Sequence, residues 1–69
     1  MNLKWFREGG AWVLRRGYET DDGATLWQET GYVVTGEGTH YVKYPGKMSR
    51  FHTRLRDAKA EAERLARDG

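Results

Sequence analysis

The amino-acid sequence predicts an α+β fold in which a small antiparallel sheet is followed by one C-terminal amphipathic helix. Apolar side chains recur at helical spacing between residues 54 and 67, with charged residues at most other positions. Before that segment, short runs rich in aromatic and β-branched residues alternate with glycine-containing turns, a pattern typical of strands. The connections are short, so we expect three or four strands in a meander, with the helix packed on one face of the sheet.

Apolar runs separated by turns account for the predicted strands. Gly9 and Gly10 separate the first two runs, and a Gly-Gly pair is favoured in two-residue hairpins. Asp22 and Gly23 supply the second turn, and the segment 36–38 supplies the third. The runs cover residues 3–7, 11–18, 26–35 and 39–44, and a further turn at 45–47 follows them.

Alternation along the second run decides which of its residues share a face of the sheet. Trp12 and Leu14 fall on one face, whereas Val13 falls on the other with Arg15. In the third run, Gly31 marks a bulge or a point of close approach. The runs carry apolar residues on both faces, and one helix can cover only one of them. We therefore expect an uncovered aromatic patch of the kind that often marks an interface, and a homodimer is one simple way to cover it.

The helix is predicted from the period of its apolar residues. At about 100° per residue, these residues all fall within an arc of roughly 100°. Thr53 is the expected N-cap, because its hydroxyl can accept a hydrogen bond from a free backbone N–H in the first turn. Ala62 lies at the centre of the arc and Ala60 on the opposite side, so Ala62 should face the sheet. The apolar positions are Leu55, Ala58, Ala62, Leu65 and Ala66.

Length and composition limit the class of protein. The 69 residues allow a single domain, 1–69, with a thin core. There is no cysteine for a disulfide or a thiolate metal site, and no apolar run is long enough for a signal peptide or a membrane span. We therefore expect a cytoplasmic protein without a membrane partner. The net charge of +2 is too small to indicate nucleic-acid binding by itself.

The distribution of the basic residues suggests a binding surface. Arg15 and Arg16 are adjacent on the second run. Lys43 and Lys47 lie at the end of the fourth run and beyond it, with Arg50 close behind. A basic sheet face with aromatic residues between the charges can contact phosphates and stack on bases, although the same residues can also be ordinary solvated positions. The predicted nucleic-acid contacts are Arg15, Arg16, Lys43 and Lys47 to phosphates, with Trp12 or Tyr44 stacking.

The two adjacent arginines cannot serve the same surface in a regular strand. Neighbouring strand residues point to opposite faces, so at most one of Arg15 and Arg16 lies on the uncovered face. If the Trp12 face is the core, Arg15 is the candidate contact. Arg16 should then lie near an edge or extend its charged end to solvent.

Residues that could carry catalysis or bind a metal are few. His40 and His52 are the only histidines, and a zinc site needs further ligands at defined spacing. Ser49 is the only serine, and no base stands at a matched position. Asp21 and Asp22 lie in a turn that acidic residues favour for backbone reasons. We therefore expect a non-enzymatic protein with no cofactor and no metal.

The last third of the chain resembles a recurrent sheet-then-helix ending. Its pattern is Tyr41-Val42-Lys43-Tyr44, a glycine turn, and then Phe51-x-Thr53-x-Leu55-x-Asp57-Ala58-Lys59-x-x-Ala62-Glu63. This pattern is similar to small proteins of actinobacterial phages and mobile elements. More distantly, three strands followed by one helix resemble AP2-type domains and the arm-binding N-terminal domains of tyrosine integrases. The resemblance to those modules implies DNA binding through the sheet, with Arg15 and Arg16 in its middle.

Two functions follow from the sequence. The first is a small phage-encoded module that binds nucleic acid through the uncovered sheet face. The alternative is a protein–protein interaction factor that docks an aromatic sheet patch on a host protein or on itself. Salt separates the two, because phosphate contacts weaken steeply with ionic strength and an aromatic interface does not.

Overall fold

A computed structural model describes residues 2–44, 46–49 and 51–68. Its elements are β1 (Asn2–Glu8), β2 (Ala11–Glu19), β3 (Thr25–Thr35), β4 (Tyr41–Tyr44), β5 (Lys47–Met48) and α1 (Leu55–Asp68). The α+β class and the meander are confirmed, since the strands form one antiparallel sheet in the order β1-β2-β3-β4-β5. The prediction of three or four strands is wrong, because β5 is a two-residue strand, too short to leave a pattern. Pro45 in the predicted turn and Arg50 among the basic residues lie outside the described residues.

The β1–β2 hairpin turns at Gly9 and Gly10, as predicted. Glu8 pairs with Ala11, which leaves the two glycines as the connection. Their φ angles are +52° and +83°, a left-handed conformation that residues with a Cβ rarely adopt. This turn fixes the register of β1 against β2 over the whole length of β1.

The β2–β3 connection is closed by hydrogen bonds among its own residues. The backbone N–H of Thr20 donates to the Ala24 carbonyl at 2.9 Å, and that of Gly23 donates to the Thr20 carbonyl at 3.0 Å. The Asp22 carboxylate accepts from the Thr20 hydroxyl and from the Ala24 N–H. These two bonds, of which the hydroxyl bond has the larger effect, lower the pKa of Asp22 below its ordinary value.

A bulge interrupts the β2–β3 ladder around Gly31, where the sequence predicted a bulge or a close approach. Leu14 alone opposes residues 30–32 of the longer strand. Gly31 has a φ of +90°, and the Thr30 hydroxyl donates to the Leu14 carbonyl at 2.9 Å. The bulge lets the residues on either side of it keep their faces while the ribbon bends.

The core lies between the sheet and α1. The predicted apolar stripe of the helix is confirmed by the burial of its alanines, whereas Leu55 and Leu65 keep part of their surface exposed. Alanine contributes little side-chain volume, so the helix backbone comes close to the strands. The wholly buried residues are Leu14, Val34 and Val42 from the sheet and Ala58, Ala62 and Ala66 from the helix, with Leu3, Trp5, Trp12, Tyr32, Tyr44 and Leu55 packed around them.

The segment before α1 is tied to both the sheet and the helix. The backbones of His40 and His52 exchange two hydrogen bonds, at 2.8 and 2.7 Å. The Nε2 atom of His52 also lies 3.2 Å from a carboxylate oxygen of Glu61 on α1. His52 therefore links the start of β4 to the middle of the helix.

Thr53 does not occupy the N-cap position that the sequence predicted. α1 begins at Leu55, and the Arg54 carbonyl accepts a helical hydrogen bond from the Ala58 N–H at 3.3 Å. The N-cap is therefore Arg54, one residue later. Asp57 lies in the first turn, where the helix dipole favours its negative charge.

Replacement of Ala62 by glutamate should unfold the protein. The Ala62→Glu side chain would put a charge and extra volume into a fully buried contact. We expect a loss of about 3 kcal/mol or more, comparable to the whole stability of a small domain. Ala60→Glu, on the exposed side of α1, should change the free energy of unfolding by less than about 0.5 kcal/mol. Thermal melts followed by circular dichroism compare the two, and equal midpoints would contradict the assigned helix face.

The Asp22 turn should weaken in acid. Because the folded-state pKa of Asp22 is lowered, its ionised form stabilises the fold at neutral pH, and that contribution is lost as the pH falls through the folded pKa. A carboxyl-carbon NMR titration should give a midpoint below the ordinary value of 3.8. Thr20→Val, which removes the hydroxyl donor, should move the midpoint back towards 3.8, and an unchanged midpoint would show that this hydrogen bond is not the cause.

Candidate binding surface

The side of the sheet turned away from α1 carries a band of apolar side chains. On paired antiparallel strands, directly opposed residues point to the same face. Val13 and Val33 are opposed, and their chain neighbours Leu14 and Val34 are buried in the core. By alternation, the two valines point away from the helix, to a surface that we call the open face. One row of it crosses all five strands and consists of Phe6, Val13, Val33, Lys43 and Met48.

Phe6 and Trp27 form an aromatic pair on the open face. Their ring centroids lie 5.6 Å apart with an interplanar angle of 72°, an edge-to-face arrangement. The Trp27 ring lies over Gly17, its partner on β2, because a Cβ at Gly17 would come within 2.9 Å of the ring. Because Gly17 has no side chain, the indole can pack directly against the backbone of β2.

Arg15 lies on the open face but is held by neighbouring side chains. Its guanidinium is 2.8 Å from a carboxylate oxygen of Glu8 and 3.3 Å from one of Glu29. It also lies over the Phe6 ring, 4.7 Å from the centroid, and only 19% of the side chain is exposed. The hydrogen bond to Glu8 is the main cause of a raised Arg15 pKa, with desolvation opposing the shift and Glu29 adding to it. The positive charge of Arg15 is thus already paired within the protein.

Lys4 places its ammonium group above the aromatic pair. Its Nζ lies 5.3 Å from the Phe6 centroid and 5.6 Å from the Trp27 centroid. Lys4 is also directly opposed to Arg15 across the β1–β2 ladder. The Glu8 carboxylate beside Arg15 reduces the repulsion between these like charges.

A shallow hollow opens on this surface beside the bulge. Its volume is about 270 Å³, below the roughly 300–1,000 Å³ typical of pockets that bind small molecules and cofactors. The hollow therefore suits one inserted side chain. Its lining residues are Gly31, Val33, Thr35 and Lys43 on the open face, with Tyr44 at the end of β4.

Arg16 lies on the helix side of the sheet and closes the end of α1. Its Nη2 donates to the backbone carbonyl of Ala66 at 2.9 Å. The last carbonyls of a helix lack partners within the helix and carry partial negative charge, so a guanidinium is favoured there. Arg16 is thus a structural contact and does not reach the open face.

Trp12 also lies on the helix side. The Nζ of Lys59 on α1 is 3.5 Å from the Trp12 centroid, and the guanidinium carbon of Arg7 is 5.1 Å from it. The same Lys59 ammonium is 5.5 Å from the centroid of Trp5. The Trp12 ring is therefore already in contact with cations of its own chain and with the core.

Tyr44 and Lys47 are opposed in the β4–β5 hairpin and so share a face. Tyr44 packs against the core, and its ring centroid lies 5.5 Å from that of Tyr32, which places the pair on the helix side. Of the predicted nucleic-acid contacts, the structure brings Arg15 and Lys43 to the open face and leaves the others on the helix side.

The sequence reasoning missed Lys4, Phe6 and Trp27, which dominate one end of the open face. A signal for part of this was present. Trp5 and Phe6 are adjacent on one strand, so alternation alone assigns one aromatic to each face. Nothing local in the sequence indicates that Trp27 rests on Gly17, because that contact is set by the pairing of β2 with β3.

Within residues 2–44, 46–49 and 51–68, no group of three or more His, Cys, Asp or Glu side chains is placed to hold a metal ion. No helix in those same segments has the length and apolar content needed to cross a bilayer.

Comparison of the chain with protein-family models, with curated proteins and with solved structures found no match. The resemblance to phage and mobile-element proteins, and to the DNA-binding modules, therefore stays a prediction.

A methyl group at position 17 should displace the Trp27 ring. In Gly17→Ala, the new Cβ would meet the indole at 2.9 Å, and the half-buried ring can move outward more easily than the strand. We expect loss of the nuclear Overhauser contacts between Phe6 and Trp27 and a shifted indole N–H signal, with the fold retained. The control is the same substitution in a Trp27→Ala background, where the Phe6 signals should not change further. An unchanged indole N–H signal in Gly17→Ala would contradict the position of the Trp27 ring over Gly17.

Proposed function

We propose that this protein is a non-enzymatic binding module that docks the open face of its sheet on an apolar surface of a partner protein. The observation that carries the proposal is the row that crosses the sheet on the face opposite the buried core, in which every residue but Lys43 is apolar. Apolar side chains that stay partly exposed are favoured to leave water, and where they are grouped on one face of a soluble protein they often mark an interaction site. The resemblance to phage proteins would make the partner a host protein.

The aromatic end of the open face is organised before binding. Trp27 is seated on Gly17, packs edge-to-face on Phe6, and lies under the ammonium of Lys4. Side chains held in this way lose little conformational freedom when a partner covers them. Aromatic residues of this kind are enriched among the few that contribute most binding energy in protein interfaces.

The charges of the open face favour a protein partner over phosphates. Arg15 is paired with Glu8 and Glu29, and those carboxylates would repel a nucleic-acid backbone brought close to the guanidinium. Both signs of charge are present near the apolar row, as in the polar rim that surrounds many protein interfaces. The hollow beside Lys43 adds a place for one side chain of the partner.

Nucleic-acid binding is the second candidate, and one observation favours it. Lys4 and Arg15 lie over the Phe6 ring, and Lys43 stands in the same row. Cations interleaved with aromatic rings can hold a single strand through its phosphates and bases. Under this candidate, binding must weaken steeply as salt is raised from about 50 to 200 mM.

Trp27→Ala and Leu26→Ala form a matched pair that tests the proposed function. The two residues are adjacent on β3 and point to opposite faces, and Leu26 is 53% exposed, so both changes remove accessible apolar surface. With the protein immobilised, a discrete partner from a host lysate should be retained by wild type and by Leu26→Ala. Trp27→Ala should weaken its binding by about 30-fold, the effect of losing roughly 2 kcal/mol at a central aromatic.

The same capture, repeated after nuclease treatment and at raised salt, separates the two candidates. Docking through apolar side chains should survive both treatments. Loss of capture with nuclease, together with a salt-sensitive gel shift of DNA that depends on Arg15 and Lys43, would support the nucleic-acid candidate instead. Equal retention by the Trp27 and Leu26 variants would overturn the assignment of the open face.

A further inference from the structure

β1 is the long unpaired edge of the sheet. The sheet has two edge strands, and the other one, β5, has only two residues. β1 has seven residues and pairs with β2 along one side. In the described part of the chain no strand pairs with its outer side, so a row of backbone N–H and C=O groups faces outward there.

The same edge carries apolar side chains on both faces. Leu3 and Trp5 lie on the helix side, where they pack against the core and remain partly exposed. Phe6 lies on the open face and is also partly exposed. A strand added at this edge would thus bury apolar surface above and below the new backbone hydrogen bonds.

We propose that β1 pairs antiparallel with β1 of a second copy of this chain, which joins two sheets edge to edge. A two-fold axis at Trp5 pairs all seven residues of the strand with their counterparts. In this register Asn2 is opposed to Glu8 of the second copy. Because each opposed pair points to the same face, both helices lie on one side of the joined sheet and both open faces on the other.

The charges of β1 fit this register. Lys4 is opposed to Phe6 of the second copy and diagonal to both its Glu8 and its Lys4, so two Lys4–Glu8 attractions across the seam outnumber one Lys4–Lys4 repulsion. Arg7 of the second copy is opposed to Leu3 and diagonal to Trp5. No two like charges are opposed. A two-fold axis at Lys4, by contrast, would oppose the Lys4 side chains of the two copies, and an axis at Phe6 would leave the first residues of β1 beyond the paired segment.

This pairing goes beyond the proposed function. It would place the aromatic ends of two open faces side by side, because Phe6 and Lys4 lie on the joining strand. The backbone hydrogen bonds of the pairing form along β1, whereas Trp27, which tests the proposed function, lies on β3, so either assignment can fail without the other.

Sedimentation equilibrium over a concentration series tests the proposal with two charge-matched variants. Wild type should form a dimer. Lys4→Glu, which replaces each Lys4–Glu8 attraction across the seam by a repulsion, should weaken the dimer about tenfold or more. Lys47→Glu makes the same charge change on the far edge strand and should leave the dimer unchanged.

Cysteine cross-linking tests the register, and the chain offers a clean background because it has no cysteine of its own. Asn2→Cys and Glu8→Cys proteins, mixed under mild oxidation, should form a disulfide between the two, since opposed Cα atoms lie about 4.5–5.5 Å apart. Each protein alone should not cross-link, because equivalent positions are then roughly 20 Å apart along the seam.

A monomer at all concentrations would overturn the proposal, as would equal dimerisation of the Lys4 and Lys47 variants or a mixture that does not cross-link. A dimer lost in Trp27→Ala but kept in Lys4→Glu would mean self-docking through the open face, which refutes edge pairing. Loss of edge pairing in Lys4→Glu with partner capture still dependent on Trp27 would support both assignments.

Discussion

The close contact between α1 and the sheet through alanine side chains sets which residues are buried and which face of the sheet stays open. With Ala62 at its centre, the helix brings its backbone near the strands and buries Leu14, Val34 and Val42 beneath it. A helix of 14 residues is only about 21 Å long, whereas the described chain extends 41 Å along its longest axis. One helix therefore covers part of one face and leaves the opposite face to other contacts.

The last turn of α1 marks the limit of the sheet surface that the helix covers. Arg16 meets the carbonyl of Ala66 in the last turn, and the next residue on the same face of β2 is Tyr18. Tyr18 is opposed to Leu26, and these side chains are 43% and 53% exposed. The outer part of the β2–β3 hairpin is thus held by its ladder and by its turn, and the helix adds no burial there.

Adjacent arginines serve different purposes because the strand alternates. Arg16 points to the helix side and satisfies a carbonyl at the helix end. Arg15 points to the open face and is paired with Glu8 and Glu29 from the strands on either side. The pairing keeps a charge on an apolar surface without leaving it unsatisfied, and it lowers the electrostatic attraction of that surface for phosphates. In the sequence the two adjacent arginines suggest one basic patch. In the sheet they lie on opposite faces and form no such patch.

The elements that depend on local conformational preference could be predicted from the sequence. The glycine turn between β1 and β2 and the alanine stripe of α1 both follow from residues close in the chain, since φ angles and helical period are local properties. The sequence did not predict β5, because a strand of two residues is too short to show alternation of apolar and polar residues. The sequence placed the N-cap at Thr53, whereas the helix has it at Arg54, one residue later, although threonine is the preferred residue at that position.

Which side chains meet across the sheet depends on the pairing of the strands and could not be predicted from local sequence. The Trp27 ring lies over Gly17, and Arg15 forms ion pairs with Glu8 and Glu29. Each of these contacts joins residues on different strands, which the register of the sheet brings together. The sequence also left open which face the helix covers. That choice removed Trp12 and Tyr44 from the open face and put Phe6 and Trp27 there. The physical reason is that a strand has a period of two and shows apolar residues on both sides, so local pattern cannot say which side is buried.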